Sequence, residues 1–409
     1  MKQTRLVITS MGAVTPIGIG VREFWDNLIA GKCGVAPITR FDASDMEVRI
    51  AAEVTMYDPA KYLPKNLIRE SDPFMQYAYI AALEALGDGA LPAESGRTGI
   101  VMGTSMSGIS TIAATQEQLT CLTKKRVGAR FIPKVLGNVA AAKIAIAKGI
   151  QGPSLTVSTA CSSGGDALAT AAMLLLAGEA DAVVTVGSES ILCPLVVHSL
   201  TNTRALSHRN DEPQKASRPF DAGRDGFVIG EGGGALVLET EEHARRRGAE
   251  ILAELLGWAN NSDAYHVTEP RADGRIAAVC MEKALERAGI TADQVDYINA
   301  HGTATKAGDI AETAAIRQVF GEHPPLVSST KGATGHMMGA GGVTEAMICI
   351  LAMQHGILPP TLNLDTPDPA CDLDYIAKQA RRQETSICMS NAFGFGGQNS
   401  SIILKKYIP

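Results

Sequence analysis

Cys161 stands between two stretches of opposite character. Before it, Ser154-Leu-Thr-Val is apolar and β-branched and predicts a short buried strand. After it, Asp166 through Ala177 is rich in Ala, Leu and Met and predicts an almost wholly buried helix. A strand that turns sharply into a helix at a cysteine sets the thiol over the helix's free N–H groups, where the dipole favours thiolate over thiol. Ser162, Ser163, Gly164 and Gly165 leave room for a backbone and a substrate to come close. The layout is that of a nucleophile elbow with sulfur in place of oxygen. The competing account is a buried apolar cysteine without chemistry, the usual fate of the type.

Three further stretches carry reactive side chains at predicted strand ends. In Asn299-Ala-His301-Gly-Thr303-Ala-Thr305-Lys306, a histidine follows a short apolar strand at the sheet edge where open α/β sheets bind ligands. Ser328-Ser-Thr-Lys331-Gly-Ala-Thr-Gly-His336 has the same form, and Ser390-Asn-Ala-Phe393-Gly-Phe-Gly-Gly-Gln398 alternates glycine with phenylalanine in tight backbone. Each alone is weak: a lone strand-end histidine is more often a hydrogen-bonded structural residue. One cysteine, two histidines and a lysine at such positions together make a Cys/His site. One base suffices for hydrolysis or simple acyl transfer, whereas two neutral imidazole donors suit an oxyanion or enolate that needs stabilising. No close-spaced ligand pair supports zinc, so no metal is expected.

The elements that must hold these groups follow from composition and periodicity. The 409 residues are 45% hydrophobic and 20% charged, a soluble globular balance with ample core. Forty-one glycines against 5% aromatics suit α/β layers packed through small residues. The apolar run Ala167–Ala177 is too short to span a bilayer, and the N-terminus leads straight into a strand without a secretory pattern. Eight cysteines without a Cys-x-x-Cys pair imply reduced thiols and a cytoplasmic protein. A net charge of −6 gives no reason to expect nucleic acid, although a local basic patch could still meet an acidic partner. Two such clusters exist. Lys61, Lys65 and Arg69 share a face if residues 58–72 are helical, and Lys124, Lys125, Arg126 and Arg130 precede Phe131. Strands at Leu6–Ser10, Thr98–Thr104, Ala182–Gly187, Ala235–Glu239, Tyr297–Ala300, Leu326–Ser329, Ile387–Ser390 and Ser400–Leu404 alternate with helices such as Val135–Lys148, Arg275–Ala288 and Gly341–His355. A long irregular segment, Thr201–Gly234, has the length of a loop that wraps a site. The expected class is α/β, one compact unit of two similar halves at 1–250 and 251–409.

The set Thr159-Ala-Cys161-Ser-Ser-Gly, Asn299-Ala-His301-Gly-Thr-Ala-Thr, Ser329-Thr-Lys331-Gly-Ala-Thr-Gly-His336 and Asn391-Ala-Phe393-Gly-Phe-Gly-Gly strongly resembles the β-ketoacyl-acyl-carrier-protein synthases of the KAS I/II type, KAS II most of all. Arg218-Pro-Phe-Asp-Ala-Gly-Arg-Asp-Gly-Phe, Ser262-Asp-Ala-Tyr-His266 and Asn363-Leu-Asp-Thr-Pro-Asp368 extend the likeness over nearly the whole chain. The resemblance implies the thiolase fold, with two α/β halves forming a five-layered α-β-α-β-α core, usually as a homodimer. It implies that Cys161 takes an acyl chain from acyl-carrier protein as a thioester. His301 and His336 would then promote decarboxylation of malonyl-carrier protein, and the enolate would attack the thioester to give a 3-ketoacyl chain. By the same likeness the Cys161 and Phe393 N–H groups form the oxyanion hole, and Phe393 gates the acyl pocket. Lys331 organises charge near His336 and Glu345, and Thr303 and Thr305 hold the phosphopantetheine arm. The arm arrives on the carrier, so no dissociable cofactor is implied. Lys65, Arg69, Lys124, Arg126, Arg130 and Arg204 lie where relatives contact the acidic carrier.

Three positions depart from the pattern. Lys306 replaces a usual proline, Gln398 a usual threonine, and Met106 stands at an acyl-pocket wall where isoleucine or glycine is typical. They leave the chemistry intact and bear on chain length and pathway. Fatty-acid elongation is the first reading, and a ketosynthase of a type II polyketide or polyene pathway the second. A non-catalytic chain-length factor, alone or as partner in a heterodimer, shares the fold but lacks the cysteine. A CoA-dependent thiolase would need a second catalytic cysteine, which neither late glycine turn supplies.

Overall fold

The computed structural model describes residues 4–87, 91, 96–123 and 125–408. Ten strands form two sets of five. The first set is β1 (Leu6–Thr15), β2 (Thr98–Gly103), β3 (Ser154–Val157), β4 (Ala182–Glu189) and β5 (Gly232–Thr240). The second is β6 (Ala253–Ser262), β7 (Tyr297–Asn299), β8 (Leu326–Ser328), β9 (Ile387–Gly394) and β10 (Gln398–Lys406). The spatial orders are β3-β2-β4-β5-β1 and β8-β7-β9-β10-β6, the same sequence of ranks in both sets. The directions also match: β2 runs parallel to β3 and β4, as β7 does to β8 and β9, and the remaining neighbours are antiparallel. The sets join where Leu6–Ile8 pairs with Ala253–Leu255. The halves are therefore topological copies.

Five layers result. Helix α1 (Pro73–Leu86) covers the outer face of the first set. Helix α2 (Arg275–Ala288) covers that of the second, with α3 (Lys306–Phe320) packed against it. Between the sheets lie α4 (Ser163–Leu176) and α5 (Gly341–His355), packed on one another. Residues Gly341 through Met353 are all buried, as a helix with a sheet on either side must be. The two central helices meet backbone to backbone. A Cβ on Gly342 would stand 2.3 Å from the Gly165 nitrogen, and one on Gly164 would stand 2.8 Å from the Val343 nitrogen. Since Gly164 and Gly165 follow Cys161 by three and four residues, this contact fixes the depth of the elbow. Among the described residues no helix is long and apolar enough to cross a membrane.

Several expectations are corrected. Ser154–Val157 is not buried: it is the edge strand, bonded on one side to β2, with Leu155 45% exposed. An apolar, β-branched run has the same composition in an edge strand as in a core strand. The helix after Cys161 begins at Ser163 rather than Asp166. Residues 58–72 form two short helices, Pro59–Tyr62 and Lys65–Arg69, broken at Leu63 and Pro64, so Lys61, Lys65 and Arg69 do not share one helix face. Val135–Lys148 likewise divides into Phe131–Val135 and Asn138–Lys148. Two helices were not foreseen, Ile109–Thr120 and Pro194–Asn202. The first buries none of its residues and so shows no apolar period.

Replacing Gly342 by Ala drives a methyl group into the Gly165 backbone, which cannot rotate away. Overpacking of this kind costs about 1–3 kcal/mol. The midpoint of urea unfolding should fall accordingly, and an unchanged midpoint would show that the two helices separate freely.

Candidate active site

The elbow is a strained turn. Ala160 adopts φ +52°, a left-handed conformation that disfavours a side chain. It is held by Thr159 N–H donating to Ser163 Oγ at 2.9 Å and by the Ser162 and Ser163 hydroxyls donating to the Thr159 and Ala160 carbonyls at 2.7 Å. Cys161 lies in the single turn Ala160–Ser162 that leads into α4 and is 8% exposed. Its Sγ is 3.0 Å from His336 Nε2 and 4.0 Å from Met338 Sδ.

Both histidines follow short parallel strands of the second half. His301 comes two residues after β7, and its N–H and that of Gly302 donate to the two oxygens of Glu312 at 2.9 and 2.7 Å. His336 comes after β8 and Gly335 (φ +63°), with its backbone bonded to Val228 and Gly230. The two rings meet edge to face, 5.2 Å apart at 85°. Nδ1 of each ring is buried without a partner. An orphaned buried N–H is rarer and costlier than an unused acceptor, so the proton of each neutral ring belongs on Nε2. His336 then donates to the Cys161 sulfur. Beside them Lys331 and Glu345 form a fully buried ion pair.

Burial sets the protonation states. It holds both imidazoles well below their ordinary range, with the Lys331 ammonium acting in the same direction. It also pushes the Cys161 thiol up to about 11, against the Phe395 N–H, the Lys331 charge and the residue's own N–H, which favour the thiolate. The thiolate expected from the helix terminus is therefore not the resting form, because desolvation outweighs these nearby dipoles and charge. Burial likewise raises the Glu312 carboxyl to about 7 despite its two N–H donors.

The site floors a cavity of about 500 Å³. Thr303 and Thr305 line it, their hydroxyls 3.1 Å apart, and Thr305 caps α3. Phe393 also lines it, its ring 6.0 Å from His301, but it lies inside β9 opposite Asn399. The ladder ends at Gly394, and beyond it the Phe395 N–H favours the Cys161 thiolate. Gly394 itself comes so close that an added Cβ would be 3.0 Å from the Cys161 nitrogen. Met106 does not line the cavity: it is 43% exposed and its N–H is held by Glu189 at 3.2 Å. Of the basic residues, Arg204 lines the cavity. Lys65, Arg69, Arg126 and Arg130 are exposed on the surface, Arg130 bound to Glu70 at 3.0 Å, and Lys124 lies outside the described residues. Glu312 and Met338 were not foreseen. Glu312 lies eleven residues from the histidine it supports, and Met338 reads as ordinary core.

The ligand atoms of Cys161, His301 and His336 fall within 4.8 Å of one another. A sulfur and a nitrogen on one tetrahedral zinc stand about 3.5 Å apart. The observed 3.0 Å is a hydrogen bond instead. The arrangement is a thiol supplied with N–H donors beside two neutral imidazoles, suited to acyl transfer followed by stabilisation of an anionic oxygen. Alkylation of Cys161 by iodoacetamide should keep accelerating from neutral pH through pH 9, as a thiol raised to about 11 requires. A plateau below pH 7.5 would reveal a preformed thiolate.

The chain matches two domain families in succession, the β-ketoacyl synthase N-terminal domain over residues 3–244 and the C-terminal domain over 252–365. It is 43% identical over 411 residues to a 3-oxoacyl-[acyl-carrier-protein] synthase 2 of Coxiella burnetii, covering 99% of both chains. Among solved structures, the ishigamide ketosynthase/chain length factor superposes with a TM-score of 0.93 at 33% identity, covering 99% of this chain and 100% of that one. A type II PKS ketosynthase solved with its acyl-carrier protein superposes at 0.89 and 33%, covering 100% of both. With the duplicated five-layered core and the Cys/His/His cavity, these matches make the chain a member of the β-ketoacyl synthase family with the thiolase fold.

Proposed function

We propose that this enzyme condenses an acyl chain, held as a thioester on Cys161, with malonyl-acyl-carrier protein to form 3-ketoacyl-acyl-carrier protein in fatty-acid elongation. The observation that carries the reading is the Cys161 Sγ to His336 Nε2 contact of 3.0 Å, with His301 facing the same space. Cys161 attacks the acyl-carrier thioester as its sulfur is relieved of its proton, which leaves with the carrier thiol. The Cys161 and Phe395 N–H groups receive the carbonyl oxygen in that step. Loss of CO2 from the malonyl group then puts charge on the thioester oxygen. An oxygen between the two rings can accept one N–H from each without creating a buried cation. The carbanion attacks the Cys161 thioester, the carbon–carbon bond forms as the acyl carbon–sulfur bond breaks, and the released Cys161 thiolate takes up a proton from water to restore the thiol. Lys331 and Glu345 fix the field on both rings, and Thr303 and Thr305 hydrogen-bond the pantetheine arm. The carrier brings that arm, so the reaction uses no dissociable cofactor. Arg204 at the cavity, with Lys65, Arg69, Arg126 and Arg130 on the surface and Lys124 beside Arg126 in the sequence, attracts the acidic carrier. Eight reduced cysteines suit the cytoplasm.

The catalytic unit is a homodimer in this reading. The edge strand β3 offers free backbone, Leu155 stands out from it, and the flanking helices expose Ile146, Met173 and Leu176. An unpaired apolar edge is the signature of pairing with another chain. A second copy supplies the same edge, and this chain retains Cys161, His301 and His336, so it needs no catalytic partner. Leu155→Asp should convert a dimer to monomers in sedimentation velocity. A wild-type chain that stays monomeric until a chain-length factor is added would favour the heterodimer.

A polyketide or polyene pathway is the second reading, favoured by the 0.93 superposition on the ishigamide ketosynthase/chain length factor. A panel of acyl-carrier primers separates the two by the chain lengths accepted. For the chemistry itself, Cys161→Ala should abolish condensation yet still release CO2 from malonyl-carrier protein, whereas His301→Ala should lower CO2 release by a factor of about 100 or more. Condensation by the Cys161→Ala variant would remove the nucleophile from that residue.

A further inference from the structure

The cavity has a graded wall. From His301 to Lys306 the chain passes from buried His301, Gly302, Thr303 and Ala304 through half-buried Thr305 to exposed Lys306. The segment is rigid. The fully buried Arg224 donates to the Thr305 and Lys306 carbonyls at 3.3 and 3.0 Å, and Asp309 accepts the Ala304 N–H at 3.1 Å. At the floor is the thiol; then come two hydroxyls; at the rim is an ammonium. Lys306 takes no part in the ion pairs of the described residues, and the carboxylate it acts on, Asp368, is engaged by Arg224 at 2.7 Å. Of the other cations lining the cavity, Arg271 is bound by Asp273 at 2.9 Å and lies over the Tyr265 ring. Arg204 stands on a separate segment, Thr203–Ala205.

We infer that Lys306 is a binding residue for the phosphodiester at the outer end of the substrate's arm. This rests on the proposed carrier-dependent reaction, since only an arm carrying a thioester at one end and an anion at the other would use both ends of this wall. The thioester must reach Cys161, the amide groups of the arm then lie along Thr303 and Thr305, and its anionic end emerges at the rim. An ammonium there is a flexible point charge suited to a phosphate oxygen. Asp225, Asp263 and Glu269 also line the cavity, but Asp225 accepts from Ser207 and His208, and Asp263 from Asn399 and Arg271.

The test compares Cys161 acylation by three donors of one acyl chain: the pantetheine thioester, the 4′-phosphopantetheine thioester, and the acyl-carrier protein. In the wild type kcat/KM should favour the phosphorylated small donor over the unphosphorylated one. Lys306→Gln should reduce that preference about fivefold, the size of an exposed ion pair, while Lys306→Arg keeps it. An unchanged ratio overturns the inference. So does a loss confined to the carrier-bound donor, which would put Lys306 against the carrier's surface instead. A wild-type enzyme acylated by none of the three would strike the proposed reaction itself.

Discussion

The contact between the Cys161 sulfur and His336 Nε2 joins the reacting groups of the two halves of the molecule, and the surrounding architecture holds it. The sulfur belongs to the first half, both imidazoles to the second. Neither half alone places a thiol and an N–H donor 3.0 Å apart in a dry pocket. Burial gives the contact its character: it keeps both rings neutral and the thiol protonated, so the site rests without charge at its reacting atoms. The buried charges, Lys331 and Glu345, are paired with each other.

Carboxylates stiffen the frame around this contact. Glu189 accepts from the Ser105, Met106 and Gly339 N–H groups at 2.6, 3.2 and 3.2 Å, tying the end of β2 to the segment that carries Met338. Asp166 accepts from Thr159 at 2.6 Å in front of the elbow. Glu312 performs the same service for His301. Glu189 and Glu312 are removed from water and take backbone N–H donors, while Asp166 takes the Thr159 hydroxyl, so each loop has few alternative positions. The glycine contact between α4 and α5 sets the remaining coordinate, the depth of the thiol between the sheets.

Much of this was legible in the chain. The strand–cysteine–helix order and the histidines after short strands are local patterns, and Arg275–Ala288 and Gly341–His355 were predicted to the residue. What escaped was set by tertiary context. Ser154–Val157 has a core composition but sits at an edge, since burial of a strand depends on its neighbours. Phe393 and Phe395 share the neighbour Gly394, and the local pattern does not show that the β9–β10 ladder holds the first and releases the second. The thiol's protonation depends on how deeply the fold buries it, which spacing does not encode. Glu312 is an unremarkable helical glutamate until the fold brings it beneath His301.

The proposed reaction passes through a covalent acyl thioester on Cys161. Incubation with an acyl-carrier protein, followed by peptide mapping by mass spectrometry, should find the acyl mass on the Cys161 peptide alone. Addition of malonyl-carrier protein should clear it as CO2 and a 3-ketoacyl-carrier product two carbons longer appear in equal amounts. An acyl group on another residue, or product formed while the Cys161 peptide stays unmodified throughout, would contradict it.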